Sequence, residues 1–225
     1  MPRPTPPLDR VAALVPVRGL EGAKARLGEV LDAEERRSLV ERLLRRTVAA
    51  ALATPGIPVV AVVSPDPAIL GLAADLGAAA VTQDGGGLNE GLAEARAWAV
   101  AAGAEAILVV PADLPAVDPG ELGRVIRAAR SLATAQATPA PTTRPLVILV
   151  PDRAGAGTNV LLVAPPDAIP FHFGEGSRAA HANAARAAGA IYLEVDGPLE
   201  LDLDTPDDLL AAEALGLGDL RADTP

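Results

Sequence analysis

The stretch Ile107 to Pro115 reads ILVVPADLP, and it predicts the buried strand around which the rest of the chain is arranged. Its first four residues are apolar without a polar break, which is typical of a strand covered on both faces in a parallel sheet. Leu114 and Pro115 then end the strand, because proline cannot donate a hydrogen bond to a neighbouring strand. Asp113 is therefore expected just beyond the strand's carboxyl end, at the edge where open α/β sheets bind their ligands.

Predicted strands and helices alternate on both sides of this stretch. The alternation indicates an α/β fold, in which a single, mostly parallel, twisted sheet carries helices on both faces. We predict one domain over 11–216, flexible tails over 1–10 and 217–225, and a surface linker over 131–145, where the sequence is low in complexity. Strands are predicted at Val11–Val17, Val59–Val63, Ala79–Thr82, Leu146–Val150, Thr158–Val163 and Ile191–Val195. Helices are predicted after the capping residues Asp32, Asp66, Asp118 and Thr205, over Leu88–Ala102, and in a segment ending near Gly189.

Composition narrows the class of protein. The chain has 225 residues, a formal charge of −10 and no cysteine, which argues against nucleic-acid or membrane-surface partners and rules out thiol chemistry. Its two histidines, His172 and His181, are too few for a histidine-based metal cluster. No apolar run approaches membrane-spanning length and the N-terminus has no signal-peptide core, so we expect a cytoplasmic protein.

Three cations follow the first predicted strand. The loop lacks both the G-x-G-x-x-G and the G-x-x-x-x-G-K-[ST] patterns, but it carries Arg18, Lys24 and Arg26 on an otherwise acidic chain. Lysine and arginine at the ligand edge would neutralise a triphosphate through charge-assisted hydrogen bonds. The alternative is a solvated, charged loop.

Aspartates supply a candidate metal site. Asp113 is placed to bind a hard cation such as Mg²⁺, although it could instead cap a turn. Asp202 and Asp204 flank Leu203 on a predicted short strand, and we expect their side chains to point to opposite faces, so that only one shares a cavity with Asp113. Two aspartates bridging Mg²⁺ to an α-phosphate would suffice for nucleotidyl transfer.

Six segments occur in a characteristic order over nearly the whole chain. They are 16–18 with 24–27, 87–89, 111–115, 152–153 with 157–159, 173–181, and 201–209. In this order they resemble the phospholactate/phosphoenolpyruvate guanylyltransferase family of coenzyme F420 biosynthesis, within the molybdenum-cofactor-guanylyltransferase-like nucleotidyltransferases of the nucleotide-diphospho-sugar-transferase fold. The most specific part is G-T-N at 157–159 followed by F-G-x-x-S-x-x-x-H at 173–181, which the wider group lacks.

The resemblance implies a reaction and a set of site residues. The phosphate of a three-carbon acid attacks the α-phosphorus of GTP and releases diphosphate, and a downstream F420 precursor transferase uses the product. The resemblance implies that Asp113 and Asp204 bind Mg²⁺, with Asp202 as a third ligand. It implies that the catalytic residues are Asp113, Lys24 and Arg26, and that the acid binds at Thr158, Gly174 and Ser177. The residues that it implies at the nucleotide are Val17, Arg18, Lys24, Arg26, Asn89, Pro111 and Asp113.

Some positions and alternatives remain open at this point. The family often has His and Thr at Ala154 and Ala156, and an aromatic residue at Arg178. Ser177 could be an ordinary helix N-cap rather than a ligand of the acid. Phosphoenolpyruvate is the first choice of acid, ahead of 2-phospho-L-lactate and 3-phosphoglycerate, and a homodimer is considered. The rival functions are another nucleotidyltransferase of the same fold and a non-catalytic GTP-binding domain.

Overall fold

A computed structural model of the chain describes residues 8–20, 24–136 and 144–217. Seven strands form one sheet: β1 Val11–Pro16, β2 Val59–Ser64, β3 Ala79–Thr82, β4 Ala106–Val109, β5 Leu146–Pro151, β6 Thr158–Ala164 and β7 Ile191–Glu194. Their order across the sheet is β3-β2-β1-β4-β6-β5-β7. The helices are α1 Ala33–Ala53, α2 Pro67–Asp75, α3 Leu88–Ala101, α4 Pro119–Gln136, α5 Ser177–Ala187 and α6 Pro206–Ala214. None of these described helices is long and apolar enough to cross a membrane.

The sheet is mostly parallel, as predicted, with β6 reversed. β6 runs antiparallel to both β4 and β5, and every other pairing is parallel. Since β5 and β6 are joined only by the short segment 152–157, they can pair only as an antiparallel hairpin. The reversal brings the start of β6 to the same sheet edge as the carboxyl end of β4, because Val109 pairs with Leu161.

Both faces of the five central strands β2, β1, β4, β6 and β5 are buried, which is what the continuous apolar strands predicted. Ala13 and Val15 of β1 pack into one core cluster, and their neighbours Ala12 and Leu14 pack into the cluster on the other face. A third, smaller cluster lies at the ligand edge and joins a 3-10 turn at Ala25–Glu29 to α1 and α6. Its members are Leu27, Leu31, Leu39, Leu43, Leu201, Leu203, Leu209 and Ala212.

The predicted helix starts are confirmed. Asp32 accepts hydrogen bonds from the amides of Glu34 and Glu35 at the start of α1, and Glu35 completes the capping box. The other predicted capping residues also accept from the first turn of their helices, namely Asp66 for α2, Asp118 for α4 and Thr205 for α6.

The predicted surface linker over 131–145 is wrong at its start. α4 continues to Gln136, and Leu132 and Ala133 pack against the core, so burial and good helix formers outweigh the low complexity. Residues 137–143 lie outside the described residues, as do 1–7 and 218–225 of the predicted tails. Leu8 is 0% exposed, and its carbonyl accepts hydrogen bonds from Arg130, so the described end of the N-terminal tail packs on the domain.

Candidate functional site

Three carboxylates meet at the ligand edge of the sheet. One oxygen each from Asp113, Asp202 and Asp204 lies within 4.8 Å of the other two. The amide of Leu203 donates to the carbonyl of Asp113 at 3.0 Å, which holds the segment 201–204 beside the end of β4. Carboxylate oxygens are the ligands that hard divalent cations prefer, so the donor set fits such a metal.

The prediction that only one of Asp202 and Asp204 faces Asp113 is wrong. The segment 201–204 is not a paired strand, and residues two apart along extended backbone lie on the same side rather than on opposite sides. Leu201 and Leu203 pack into the third cluster, and both aspartates therefore turn toward Asp113.

Asn159 anchors the same segment from the other side. Its amide nitrogen donates to the carbonyls of Leu199 and Glu200 at 3.0 and 2.9 Å, and the residue is 6% exposed. Because Asn159 is the second residue of β6, it connects the segment that leads into Asp202 and Asp204 to the strand that begins at Thr158. Asn159 belongs to the G-T-N motif at 157–159, for which the resemblance implied a role only at Thr158.

Lys24 lies between two of the aspartates. Its Nζ is 2.7 Å from Asp113 Oδ2 and 2.8 Å from Asp204 Oδ1, and its side chain is 12% exposed. Burial by itself would lower the pKa of Lys24, but the two carboxylates outweigh burial and the pKa is raised, so the residue stays a cation. In the described part of the chain the Asp113 carboxylate accepts only from Lys24, so the alternative that Asp113 caps a turn is wrong.

Lys24 also has an uncommon backbone. Its φ of 51° lies in the left-handed region, which costs a residue other than glycine about 1–2 kcal/mol. The conformation places Lys24 at the start of the 3-10 turn, whose Leu27 packs in the third cluster. Local packing therefore holds the ammonium group at the aspartates.

Negative charge remains in excess at the aspartates. Burial first, and then repulsion from Asp113 and Asp204, raise the pKa of Asp202 to about 6. One ammonium group faces three carboxylates, and a divalent cation would offset the remainder. We regard all three aspartates as candidate ligands.

The other predicted nucleotide residues surround this cluster. Arg26 Nη1 is 4.0 Å from Asp204 Oδ2 with 77% of its side chain exposed, so its guanidinium is available to a ligand. Val17 and Arg18 follow β1, and Pro111 follows the adjacent strand β4, which places all three at the same edge. Arg18 is exposed, whereas Val17 is 8% exposed and its amide donates to the carbonyl of Val63.

Asn89 connects two loops. Its amide nitrogen donates to the carbonyl of Phe173 at 3.0 Å, and its side-chain oxygen accepts from the amide of Phe173 at 2.8 Å. Asn89 is in the first turn of α3, directly after the glycine-rich loop 85–87. Its assignment to the nucleotide stays a prediction, and the structure adds that it holds the loop 171–176 in place.

The predicted acid residues converge on α5. Thr158 opens β6 at the ligand edge, and Thr158 Oγ1 lies 3.0 Å from Nδ1 of His181. Ser177 and His181 are four residues apart on α5 and so share one helix face. Gly174, with φ of 126°, belongs to the loop that leads into α5.

Ser177 is not the N-cap of its helix. Gly176 is the N-cap, and Ser177 is the first helical residue, so the capping alternative is wrong. Ser177 is 1% exposed, and its backbone amide donates to the carbonyl of Gly174 at 3.1 Å. A serine hydroxyl at a helix start can donate a hydrogen bond to an anionic ligand.

Arg178 does not serve as a free cation in this pocket. Its guanidinium forms a bidentate pair with Glu194, at 3.0 and 2.6 Å, and its Nη1 donates to the carbonyl of Gly155 at 2.9 Å. The hydroxyl of Tyr192 donates to the same carboxylate. Arg178 therefore braces the glycine-rich loop 152–157 at a position where the family often has an aromatic residue.

Burial keeps His181 neutral. Burial first, and then the nearby ring of His172, lower the pKa of His181 to about 4. The unfolded chain binds this proton near the ordinary pKa of about 6.5, so it holds more protons than the folded protein between about pH 4 and 6.5. The free energy of unfolding therefore rises with pH across this window. The stability that neutral His181 contributes is complete above about pH 6.5 and is lost as the pH falls through 4.

We predict that His181 contributes about 3 kcal/mol to this rise, and that His181→Gln removes it. Urea unfolding of both proteins at several pH values across the window measures the difference. His172→Gln is the control, because the His172 side chain is exposed and the variant should keep most of the rise. Equal pH slopes for the wild-type protein and His181→Gln would show that His181 does not stay neutral in the fold.

Comparison with known proteins shows the family of this chain and agrees with its fold. The family described as guanylyl transferase CofC like matches residues 11–219. A phosphoenolpyruvate guanylyltransferase from Rubrobacter xylanophilus is 44% identical over 207 residues, covering 92% of this chain and 95% of that protein. Another from Sphaerobacter thermophilus is 42% identical over 199 residues, covering 88% and 89%. A solved nucleotidyl transferase from Methanothermobacter shares the fold with a TM-score of 0.59 at 16% identity, covering 92% of this chain and 97% of that one.

Proposed function

Because this chain belongs to the family of CofC-like guanylyl transferases, it is a nucleotidyltransferase, and we propose that it transfers the guanylyl group of GTP to phosphoenolpyruvate. A phosphate oxygen of phosphoenolpyruvate bonds to the α-phosphorus of GTP, the bond from that phosphorus to the bridging oxygen breaks, and diphosphate leaves. The observation that supports this most directly is the convergence of Lys24 with three aspartates at the ligand edge.

The aspartates are proposed to hold Mg²⁺. Asp113, Asp202 and Asp204 offer the oxygen ligands, and Mg²⁺, when bound, supplies charge neutralisation at the α-phosphate. Lys24 and Arg26 are proposed to bind the triphosphate. Phosphoryl-transfer sites work mostly by such positioning and charge stabilisation.

Phosphoenolpyruvate is proposed to bind at Thr158, Gly174 and Ser177. The hydroxyls of Thr158 and Ser177, at the starts of β6 and α5, supply uncharged donors for an anion, whereas the amides of Ser177 and Arg178 already donate to the carbonyls of Gly174 and Ala156. A neutral site leaves electron density on the attacking phosphate oxygen, which a close cation would reduce. Arg178, paired with Glu194, does not disturb this neutrality.

The relatives support phosphoenolpyruvate among the three candidate acids, because those named above act on phosphoenolpyruvate by name. We place the reaction in coenzyme F420 biosynthesis, in the cytoplasm, with a downstream F420 precursor transferase as the consumer of the product. A homodimer stays a prediction. No observation favours a molybdenum-cofactor or sugar-nucleotide substrate, or a non-catalytic GTP-binding role.

Diphosphate release tests the proposal. Purified protein with GTP and Mg²⁺ should release diphosphate only when phosphoenolpyruvate is added, and pyruvate should not replace it because it lacks the attacking phosphate. 2-Phospho-L-lactate, 3-phosphoglycerate and ATP complete the panel. A folded protein that releases no diphosphate with any acid and nucleotide would refute the enzyme assignment.

The acid pocket carries a further prediction. Thr158→Val and Ser177→Ala each remove one hydroxyl and should raise KM for phosphoenolpyruvate severalfold, roughly the effect of one neutral hydrogen bond. KM for GTP should stay nearly unchanged. Steady-state kinetics with each substrate varied in turn measures this, and a loss that falls on GTP would place the acid elsewhere.

A further inference from the structure

His181 connects the two halves of the proposed acid pocket. The residue is 0% exposed, and both nitrogens of its ring have partners. Nδ1 lies 3.0 Å from Oγ1 of Thr158, and Nε2 lies 2.9 Å from the backbone nitrogen of His172. The ring therefore links the start of β6 to the loop that precedes α5.

The second contact decides where the ring carries its proton. A backbone amide can only donate, so Nε2 must accept and must be unprotonated. A neutral imidazole then has its single hydrogen on Nδ1, which donates to the oxygen of Thr158. Burial, which lowers the pKa of His181 to about 4, keeps this form throughout the neutral range.

The hydroxyl of Thr158 is left as a donor. Its oxygen accepts from His181, so its own hydrogen must point away from the ring. Among the described residues, no oxygen accepts this hydrogen. A phosphate or carboxylate oxygen of a ligand would complete the arrangement.

We propose that His181 is a positioning residue for the acid substrate: it turns the Thr158 hydroxyl into a hydrogen-bond donor aimed at the acid and holds the loop 171–176 through the amide of His172. The identity of the acid rests on the proposed function, whereas the positioning itself rests on the two contacts of the ring. Asn89 holds the adjoining residue Phe173 by two hydrogen bonds. The loop is thus fixed at neighbouring residues before a ligand arrives, which reduces the ordering cost of binding.

Two substitutions at His181 separate the two contacts. In His181→Gln the amide reaches toward the position of Nε2, so it can accept from His172 but loses the contact with Thr158. In His181→Asn the shorter amide lies near the position of Nδ1, so it can donate to Thr158 but loses the contact with the backbone amide of His172. His172→Gln is the control, since its exposed side chain takes no part in either contact.

We expect His181→Gln to raise KM for phosphoenolpyruvate severalfold, about as much as Thr158→Val, because both weaken the same hydrogen bond to the acid, with KM for GTP and kcat nearly unchanged. The same substitution in a Thr158→Val background should add less than about twofold, because residues that act through one contact are not additive. His181→Asn should give a smaller rise than His181→Gln. Equal losses for both substrates in both His181 variants would indicate a merely structural residue and would overturn the proposal.

Failure of this inference can be told from failure of the proposed function. If Thr158→Val raises KM for phosphoenolpyruvate and His181→Gln does not, the acid pocket stands and the role of His181 is wrong. If no acid supports diphosphate release, ring-nitrogen NMR still decides the positioning. The chain has two histidines, so the His181 signals can be assigned with the His172→Gln variant. A hydrogen on Nδ1 at neutral pH is expected, and a hydrogen on Nε2 would overturn the proposal.

Discussion

Asp113→Asn is expected to lower kcat/KM for GTP by about two to three orders of magnitude, or about 3–4 kcal/mol of transition-state stabilisation. Asparagine keeps the shape and one oxygen of the side chain, but it removes the negative charge that faces both Lys24 and the proposed metal. Diphosphate release at saturating phosphoenolpyruvate measures the loss. Mg²⁺ binding, followed by calorimetry, should weaken in parallel.

The fold should tolerate this substitution. Lys24 keeps its contact with Asp204, and Asp113 is 30% exposed, so the free energy of unfolding should change by only about 1 kcal/mol. Asp207→Asn is the matched control, because it removes the same charge from an exposed residue in the first turn of α6. A variant at Asp113 that keeps near-normal turnover but unfolds much more easily would assign the carboxylate to stability alone.

Local signals predicted the scaffold of this site. The apolar run before Asp113 predicted β4, and both faces of that strand are buried, as an unbroken apolar pattern requires. Asp32, Asp66, Asp118 and Thr205 predicted four helix starts, because a side-chain oxygen that caps a helix acts within a few residues of its own position. Such features depend on near neighbours in the chain, which a sequence displays directly.

Contacts across the fold were harder to predict. The pairing of Lys24 with Asp204 joins residues 180 positions apart. The pattern of predicted strands places both residues near the ligand edge, but it does not show that their side chains are in contact. The hydrogen bond from the side-chain amide of Asn89 to Phe173 was hard to predict for the same reason, because α3 and the loop before α5 are distant in sequence. One local signal was available and unused: the spacing of Ser177 and His181 places them on one helix face, which pointed to a shared pocket.

Lys24→Ala is expected to move two measurements in opposite directions. The ammonium group occupies oxygens of Asp113 and Asp204 that a divalent metal would need, so without nucleotide the two cations compete. Removing the lysine should tighten Mg²⁺ binding to the free protein by about tenfold or more, since each charge-assisted hydrogen bond is worth about 1.5–3 kcal/mol. The same variant should lose about two orders of magnitude in kcat/KM for GTP, because the triphosphate loses a buried positive charge.

A comparison of Lys24→Gly with Lys24→Ala separates the effect of losing the side chain from the effect of the backbone conformation. Both variants lose the ammonium group, but glycine adopts the φ of 51° at position 24 without the steric cost that alanine meets. The glycine variant should therefore unfold less easily than the alanine variant by about 1 kcal/mol, while the two share the same metal and GTP affinities. If Mg²⁺ binds the free protein no more tightly in either variant, Lys24 and the metal do not share the aspartate oxygens. The lysine would then act on the triphosphate alone, and Asp202, which forms no ion pair with Lys24, would become the first candidate for a metal ligand.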